Sequence, residues 1–163
     1  MKKRKKQNII FLSIAIILVG SIVGYNYSAD QIKQKGFKFG NEIQQIQEEV
    51  KQSQTEFNSK ITQWEEKDLT EMELAEYAII HVEKLENTLS KYKNLISPKQ
   101  FAPAVELFKL STNAQLESDK EFVEWVKTGD KSHDIRSDSL LQESFEYEMM
   151  ALQEFNAAKA GLR

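Results

Sequence analysis

A run of 23 consecutive residues without a charged side chain, positions 7–29, is the strongest constraint in this 163-residue sequence. Eleven of its side chains are Ile, Leu, Val or Phe. At about 1.5 Å per residue, a helix of this length spans roughly 34 Å, which is enough to cross the hydrocarbon core of a bilayer. The run therefore predicts a transmembrane anchor, which we assign to residues 8–28, with the lipid bilayer as its partner.

Five basic residues precede the apolar run, and they predict its orientation. They are Lys2, Lys3, Arg4, Lys5 and Lys6. Short segments rich in Lys and Arg stay on the cytoplasmic side of a membrane, so residues 1–7 are predicted to be a cytoplasmic tail. Everything after the anchor is then extracytoplasmic. The predicted localisation is a single-pass protein of the cell membrane, and a chain without cysteine suits a bacterial surface.

A cleaved signal peptide is the alternative interpretation of the same segment. Cleavage requires small side chains at positions −3 and −1 relative to the cut. A cut after Ala29 would place Tyr27 at −3, and a cut after Gly24 would place Ile22 there. Because both side chains are bulky, we favour a retained anchor. The rest of the chain faces outward under either interpretation.

Charge and cysteine content restrict the function of the outer part. The chain has 22 basic and 25 acidic residues, and removing the five N-terminal bases leaves 17 against 25, a net charge of −8. An acidic surface disfavours nucleic acid, so no nucleic-acid partner is predicted. With no cysteine, the chain has no disulfide and no thiolate ligand or nucleophile.

Long stretches without helix breakers predict an all-α fold. The chain has two prolines, and no glycine occurs between Gly40 and Gly129. No run shows the period-two alternation of a strand. We predict an antiparallel bundle of about four helices, in which residues 29–67 form a long membrane-proximal helix and residues 68–163 form the remainder.

Apolar spacing predicts the buried faces of the first two helices. Four apolar residues of the first helix are seven positions apart, as in a coiled coil. They are Ile43, Val50, Phe57 and Trp64. Thr70 and Glu73 form a capping box that predicts the start of the second helix, which extends to about position 96. Its apolar stripe is widened by Ile79, Ile80 and Val82, which indicates more than one neighbour.

The third helix is predicted from Pro98 or Pro103 to Lys127, with Gly129 as its stop. Residues 129–134 are predicted to be a loop, and the fourth helix is expected to begin near Ser137. One face of the fourth helix is predicted to be buried. Its residues are Leu141, Phe145, Met149, Leu152 and Phe155.

His81 lies on the apolar face of the second helix and invites a metal interpretation. A ferritin-like di-iron site needs Glu-x-x-His on two helices. Here Ala78 stands three positions before His81, and the second histidine, His133, falls in the predicted loop. We therefore interpret His81 as a buried or partly exposed polar residue with a structural role, and we predict no metal or other cofactor.

The acidic residues around Asp130 could hold calcium only if the loop matched an EF-hand. Positions six and twelve counted from Asp130 are Ile135 and Leu141, where Gly and Glu are required. No phosphate loop, nucleophile elbow or zinc-protease motif occurs in the sequence. The sequence therefore predicts a protein that is not an enzyme.

Trp125 and Tyr147 lie off the main apolar stripes of their helices and are predicted to contact a partner. We predict a non-catalytic, membrane-anchored scaffold or interaction module of the cell envelope, which binds another envelope protein or itself. The alternative is a sensory ectodomain that holds a ligand or metal inside the bundle, around His81 and the aromatic residues.

Overall fold

The computed structural model describes residues 32–160. Its four α-helices are α1 (Ile32–Glu65), α2 (Glu71–Lys91), α3 (Ala102–Thr128) and α4 (Lys131–Ala160). Two short 3-10 helices, Tyr92–Asn94 and Lys99–Phe101, connect α2 to α3. Consecutive helices run antiparallel, and the described part of the chain contains no strand. The prediction of an all-α bundle of four helices is confirmed for these residues.

The predicted basic tail at residues 1–7 and the predicted anchor at residues 8–28 lie outside the described residues. Within residues 32–160, no helix combines the length and the apolar character needed to cross a membrane. The described helices belong to the part of the chain that the sequence assigns to the region after the anchor.

The start of α2 has the geometry that its sequence predicts. The Thr70 hydroxyl accepts a hydrogen bond from the Glu73 backbone N–H at 3.2 Å, and the Thr70 N–H donates to the Glu73 carboxylate at 2.8 Å. Each side chain satisfies a backbone donor that the first turn of a helix leaves free. Just before it, Lys67 adopts a left-handed conformation (φ 66°) and turns the chain out of α1.

The predicted loop at residues 129–134 is wrong, because α4 begins at Lys131 rather than near Ser137. Gly129 ends α3 in a left-handed conformation (φ 71°), and its N–H donates to the Trp125 carbonyl at 2.8 Å. The Asp130 carboxylate accepts from the Ser132 N–H at 2.9 Å. Polar residues that resemble a loop in sequence are here the cap of a helix.

The buried face of α4 also differs from the predicted one. Met149 is 47% exposed, and Leu141 and Phe145 are only partly buried, whereas Leu152 and Phe155 lie in the core as predicted. The buried face of α4 is rotated about the helix axis relative to the predicted face, and it consists largely of small or polar side chains. Its buried residues are Ser137, Ser144, Glu148, Ala151, Leu152 and Phe155.

Small residues explain the rotation, because they let α3 and α4 approach closely. Each helix carries a row of them at seven-residue spacing. The α3 row is Ala104, Ser111 and Ser118, and the α4 row is Ser137, Ser144 and Ala151. The Ser118 hydroxyl donates to the Ser137 carbonyl at 2.7 Å, and the Ser144 hydroxyl donates to the Ser111 carbonyl at 2.8 Å. Hydrogen bonds from a side chain to the facing backbone require closely spaced helices.

Two apolar clusters fill the ends of the bundle. At one end, Phe101 packs between Phe39 and Phe155, with ring centroids 5.1 and 5.0 Å apart. At the other end, Phe122 meets Trp64 edge-on at 6.1 Å. Buried polar side chains concentrate between the two clusters, so the bundle has an apolar, polar, apolar order along its length.

Replacing Ser144 with Leu tests the close approach of α3 and α4. The larger side chain has no room beside Ser111, and the hydrogen bond to the Ser111 carbonyl is lost. We expect Ser144→Leu to lower the free energy of unfolding by about 1–3 kcal/mol, measured by urea denaturation. The control, Ser139→Leu, places the same side chain on the exposed face of α4 and should stay within about 0.5 kcal/mol. Equal effects of the two variants would contradict the packing described here.

Candidate functional site

Three helices meet at a buried network centred on His81. The Ser53 hydroxyl of α1 lies 2.9 Å from His81 Nδ1, and Asp119 Oδ2 of α3 lies 2.9 Å from His81 Nε2. Each of the three residues is at most 5% exposed. The Phe57 ring stacks on the imidazole at 4.3 Å between centroids and 11° between planes. Ring and hydrogen-bond contacts thus enclose the histidine.

The hydrogen bonds around Asp119 indicate which atoms of the His81 network are donors and which are acceptors. Asp119 Oδ1 also accepts from the side-chain amides of Gln115 at 3.0 Å and Gln54 at 3.4 Å. A carboxylate is acceptor-only, so three donors on one aspartate match its ionised form. In that arrangement His81 Nε2–H donates to Asp119, and His81 Nδ1 accepts from the Ser53 hydroxyl. The imidazole can then be neutral with both ring nitrogens satisfied.

Serine, histidine and aspartate are also the residue types of a hydrolase triad, but here all three residues are at most 5% exposed. A nucleophile must reach a substrate carbonyl, with donors placed at the developing oxyanion. Ser53 is 5% exposed and the Phe57 ring covers the imidazole. The geometry instead joins α1, α2 and α3 at one level of the bundle.

A second set of hydrogen-bonded polar side chains surrounds Tyr92, farther along the bundle from His81. The Tyr92 hydroxyl accepts from the Gln47 amide at 2.6 Å and lies 3.1 Å from the Thr112 hydroxyl. Thr112 donates to the Phe108 carbonyl at 3.0 Å, so Tyr92 is the donor to Thr112. Burial raises the pKa of the Tyr92 phenol above its usual range.

Glu148 of α4 is buried, at 8% exposure, and no cation of the described residues forms a salt bridge with it. Loss of solvation raises the pKa of its carboxyl to about 7. An acid whose charged form is disfavoured in this way costs stability when it ionises.

Trp125 and Tyr147, the predicted partner contacts, are not brought together. Trp125 is partly buried and packs edge-on against Trp64 at 6.0 Å. Tyr147 lies three residues beyond Ser144, which faces Ser111, so Tyr147 is level with position 108 and roughly 25 Å from Trp125 along α3 at 1.5 Å per residue. A side-chain hydrogen bond to Glu143 raises the pKa of Tyr147.

His133 attaches the start of α4 to α3. Its Nδ1 lies 2.5 Å from Glu121, which also accepts from the Arg136 guanidinium at 2.8 Å. The hydrogen bond to Glu121 raises the pKa of the His133 imidazole. Within residues 32–160, no group of three or more His, Asp or Glu side chains is arranged to hold a metal ion.

The surface carries a feature that the sequence signalled only indirectly, a groove of about 450 Å³ between α2 and α3. Its floor and edges include Ala75, Ala78, Ile79, Val82 and Val123, and its charged rim is Glu83, Glu86, Lys120, Glu124 and Lys127. Ile79 is 67% exposed. We call this surface the α2–α3 groove. The unusually wide apolar stripe of the second helix was its signal.

Comparison with protein-family models, curated proteins and solved structures gives no match in any of the three. The function is therefore argued from the geometry of the chain itself.

Replacing Glu148 with Gln tests the unpaired buried acid through its pH dependence. The folded-state pKa of about 7 lies above the ordinary value of 4.5, so the folded chain binds more protons than the unfolded chain between these pH values. Stability should therefore fall as pH rises through this window, by up to about 3 kcal/mol. In Glu148→Gln the part of this fall that Glu148 contributes should disappear, as measured by urea unfolding at pH 4.5, 6 and 8, and only a smaller fall due to the raised pKa of His133 should remain. Glu154→Gln, on the exposed face of α4, should keep the whole fall. An unchanged pH dependence in Glu148→Gln would contradict the assignment.

A double-mutant cycle tests the pairing of His81 with Asp119. His81→Leu leaves a buried carboxylate without its main donor, which should cost roughly 3–5 kcal/mol of unfolding free energy. The double variant His81→Leu/Asp119→Leu should cost much less than the sum of the two single variants, because it leaves no unpaired charge. Urea denaturation measures all three variants. Additive costs would show that the two side chains are not coupled.

Proposed function

We propose that this protein is a non-catalytic interaction module of the cell envelope. In this proposal residues 8–28 anchor it in the membrane, residues 1–7 stay in the cytoplasm, and the helical bundle faces outward. The bundle binds another envelope protein or a further copy of itself. The observation that carries the proposal is the contrast between an interior occupied by the chain's own side chains and a surface that exposes large apolar ones.

The interior of the bundle is filled by the chain's own side chains, which favours a binding role for the surface rather than for the core. The aromatic residues contact one another in two clusters at the ends of the bundle. Between the clusters, the His81 ring is held by Ser53, Asp119 and Phe57. A ligand at this level would have to displace contacts that join three helices.

The outer surface supports the proposal directly. Nine large hydrophobic residues of the described chain are exposed, and four of them are on α2. These four are Met72, Tyr77, Ile79 and Ile80. Single exposed apolar residues are normal on a soluble surface, but four on one helix of 21 residues favour a contact site there.

The anchor rests on the sequence alone, through its charge-free length and the bases before it. Membrane fractionation of cells that express the full chain is the corresponding test. The chain should stay in the membrane pellet after alkaline carbonate extraction, and protease added outside intact spheroplasts should digest the bundle. Recovery in the soluble fraction would contradict the anchored form of the proposal.

A photo-reactive residue placed at exposed positions tests the interaction role in intact cells. Ile79, Ile96 and Ile135 are suitable because each is at least 67% exposed. We expect at least one position to give a discrete crosslinked band with an envelope protein or with a second copy. Absence of crosslinks from every exposed position would contradict the proposal.

The alternative function, a sensory ectodomain with an internal ligand, is favoured by one observation. The carbonyl oxygens of Gln54 and Gln115 are buried beside Asp119 without a hydrogen-bond partner in the described chain. A buried acceptor without a donor is costly, so a small polar species could occupy this place. Native mass spectrometry distinguishes the two functions, because a stoichiometric bound species lost in Gln115→Leu would favour the sensor.

A further inference from the structure

We infer that the α2–α3 groove is the docking site for an amphipathic helix that carries Lys or Arg beside its apolar ridge. This inference rests on the interaction role proposed above and adds the place and the chemistry of the partner.

The shape of the groove fits a helix. Residues Met72, Ala75, Ile79, Val82 and Glu86 follow one another on α2 at alternating spacings of three and four. This is the spacing of a coiled-coil seam, and it is separate from the buried seam of α2, to which Leu74, His81 and Leu85 belong. From Ala75 to Glu86 the groove runs about 17 Å, or three helical turns.

Two helices form the walls, which is the arrangement that accepts a third helix. On α3 the wall consists of Lys120, Val123, Glu124 and Lys127, which lie on one face of the helix because 123 and 124 follow 120 by three and four positions and 127 follows 120 by seven. Side chains of an added helix would enter the spaces between these residues as knobs into holes. Ile79 lies 67% exposed in the groove, and a compact small molecule would leave much of this length uncovered.

The charges of the groove select a basic partner. Both lysines are already paired, since Lys120 lies 3.1 Å from Glu86 and Lys127 lies 2.9 Å from Glu124. Lys120 also lies 3.1 Å from Glu117. Among the described residues, no cation forms a salt bridge with Glu83, which lines the groove. Glu83 is exposed, so its carboxylate is free to pair with an incoming Lys or Arg.

Charge also argues against a second copy of this chain as the occupant. The chain after residue 6 has 17 basic and 25 acidic residues. In a two-fold symmetric dimer across the groove, two rims of three glutamates and two lysines, each with a net charge of −1, would face each other. Like charges at such a contact oppose association.

Two synthetic helical peptides test the inference on the purified full-length chain in a neutral detergent. They share one ridge of Leu residues at heptad spacing and differ only in their flanks, which are Lys and Arg in one and Glu in the other. Fluorescence anisotropy should show the basic peptide binding at least about tenfold more tightly than the acidic one, with the difference shrinking at high salt.

Matched variants locate the binding. Ile79→Asp should weaken the basic peptide about tenfold or more, while Ile135→Asp, at an equally exposed isoleucine of α4, should stay within about twofold. Glu83→Lys should weaken it severalfold, and Glu154→Lys should not. No binding of the basic peptide, equal binding of both peptides, or equal effects of Ile79→Asp and Ile135→Asp would each overturn the inference.

Sedimentation and crosslinking separate the remaining outcomes. If the full-length chain forms a dimer that Ile79→Asp dissociates, a second copy is the occupant and the inference is overturned. If photo-crosslinks in cells arise from Ile135 or Ile96 but not from Ile79, the interaction role stands while the groove is excluded. Absence of crosslinks from all positions contradicts the proposed function itself.

Discussion

The carboxylate of Asp119 lies in the centre of the bundle, and the positions of three helices depend on its hydrogen bonds. Its donors are His81 on α2, Gln54 on α1 and Gln115 on its own helix. A buried charge is tolerated only when it is well hydrogen-bonded, so a shift of one helix along another would leave it unsatisfied. Apolar contacts are less selective, because a Leu or Phe finds another apolar neighbour after a small slide. The hydrogen bonds around Asp119 therefore define the alignment of α1, α2 and α3. The apolar clusters on either side contribute most of the buried apolar surface.

A different kind of contact fixes α4. It carries a row of small residues against a matching row on α3, and serine hydroxyls reach the facing backbone at 2.7 and 2.8 Å. Close helices gain dispersion contacts along their whole length, and a bulky residue at any point of the row would separate them. Glu148 lies on the same face without a salt bridge from the described residues. The described helices thus contain two buried acids, Asp119, which accepts three hydrogen bonds, and Glu148, whose charged form is disfavoured by burial.

The sequence predicted the number and type of helices because these depend on local spacing and on the absence of breakers. The capping box at Thr70 was equally local and was also predicted. The buried face of α4 was predicted wrongly because Ser144 is a polar residue. It is nevertheless buried, since its small side chain fits between α3 and α4. Residues 129–134 were wrongly predicted to be a loop, because the residue types that cap a helix are also common in loops. Of the site, His81 could be singled out by its position on an apolar face, but its contacts with Ser53 and Asp119 could not be predicted, since these residues are on other helices and their approach is set by the packing.

The connection between α3 and α4 consists of Gly129 and Asp130 alone. Closing so short a connection costs little chain entropy, and the contacts it brings together are local in sequence. The cluster at the far end is different, because Phe39 meets Phe155 from nearly opposite ends of the described chain. During folding, the α3–α4 hairpin can therefore form before α1 arrives to cover it. We therefore expect the α3–α4 half of the bundle to form fast and α1 to dock late.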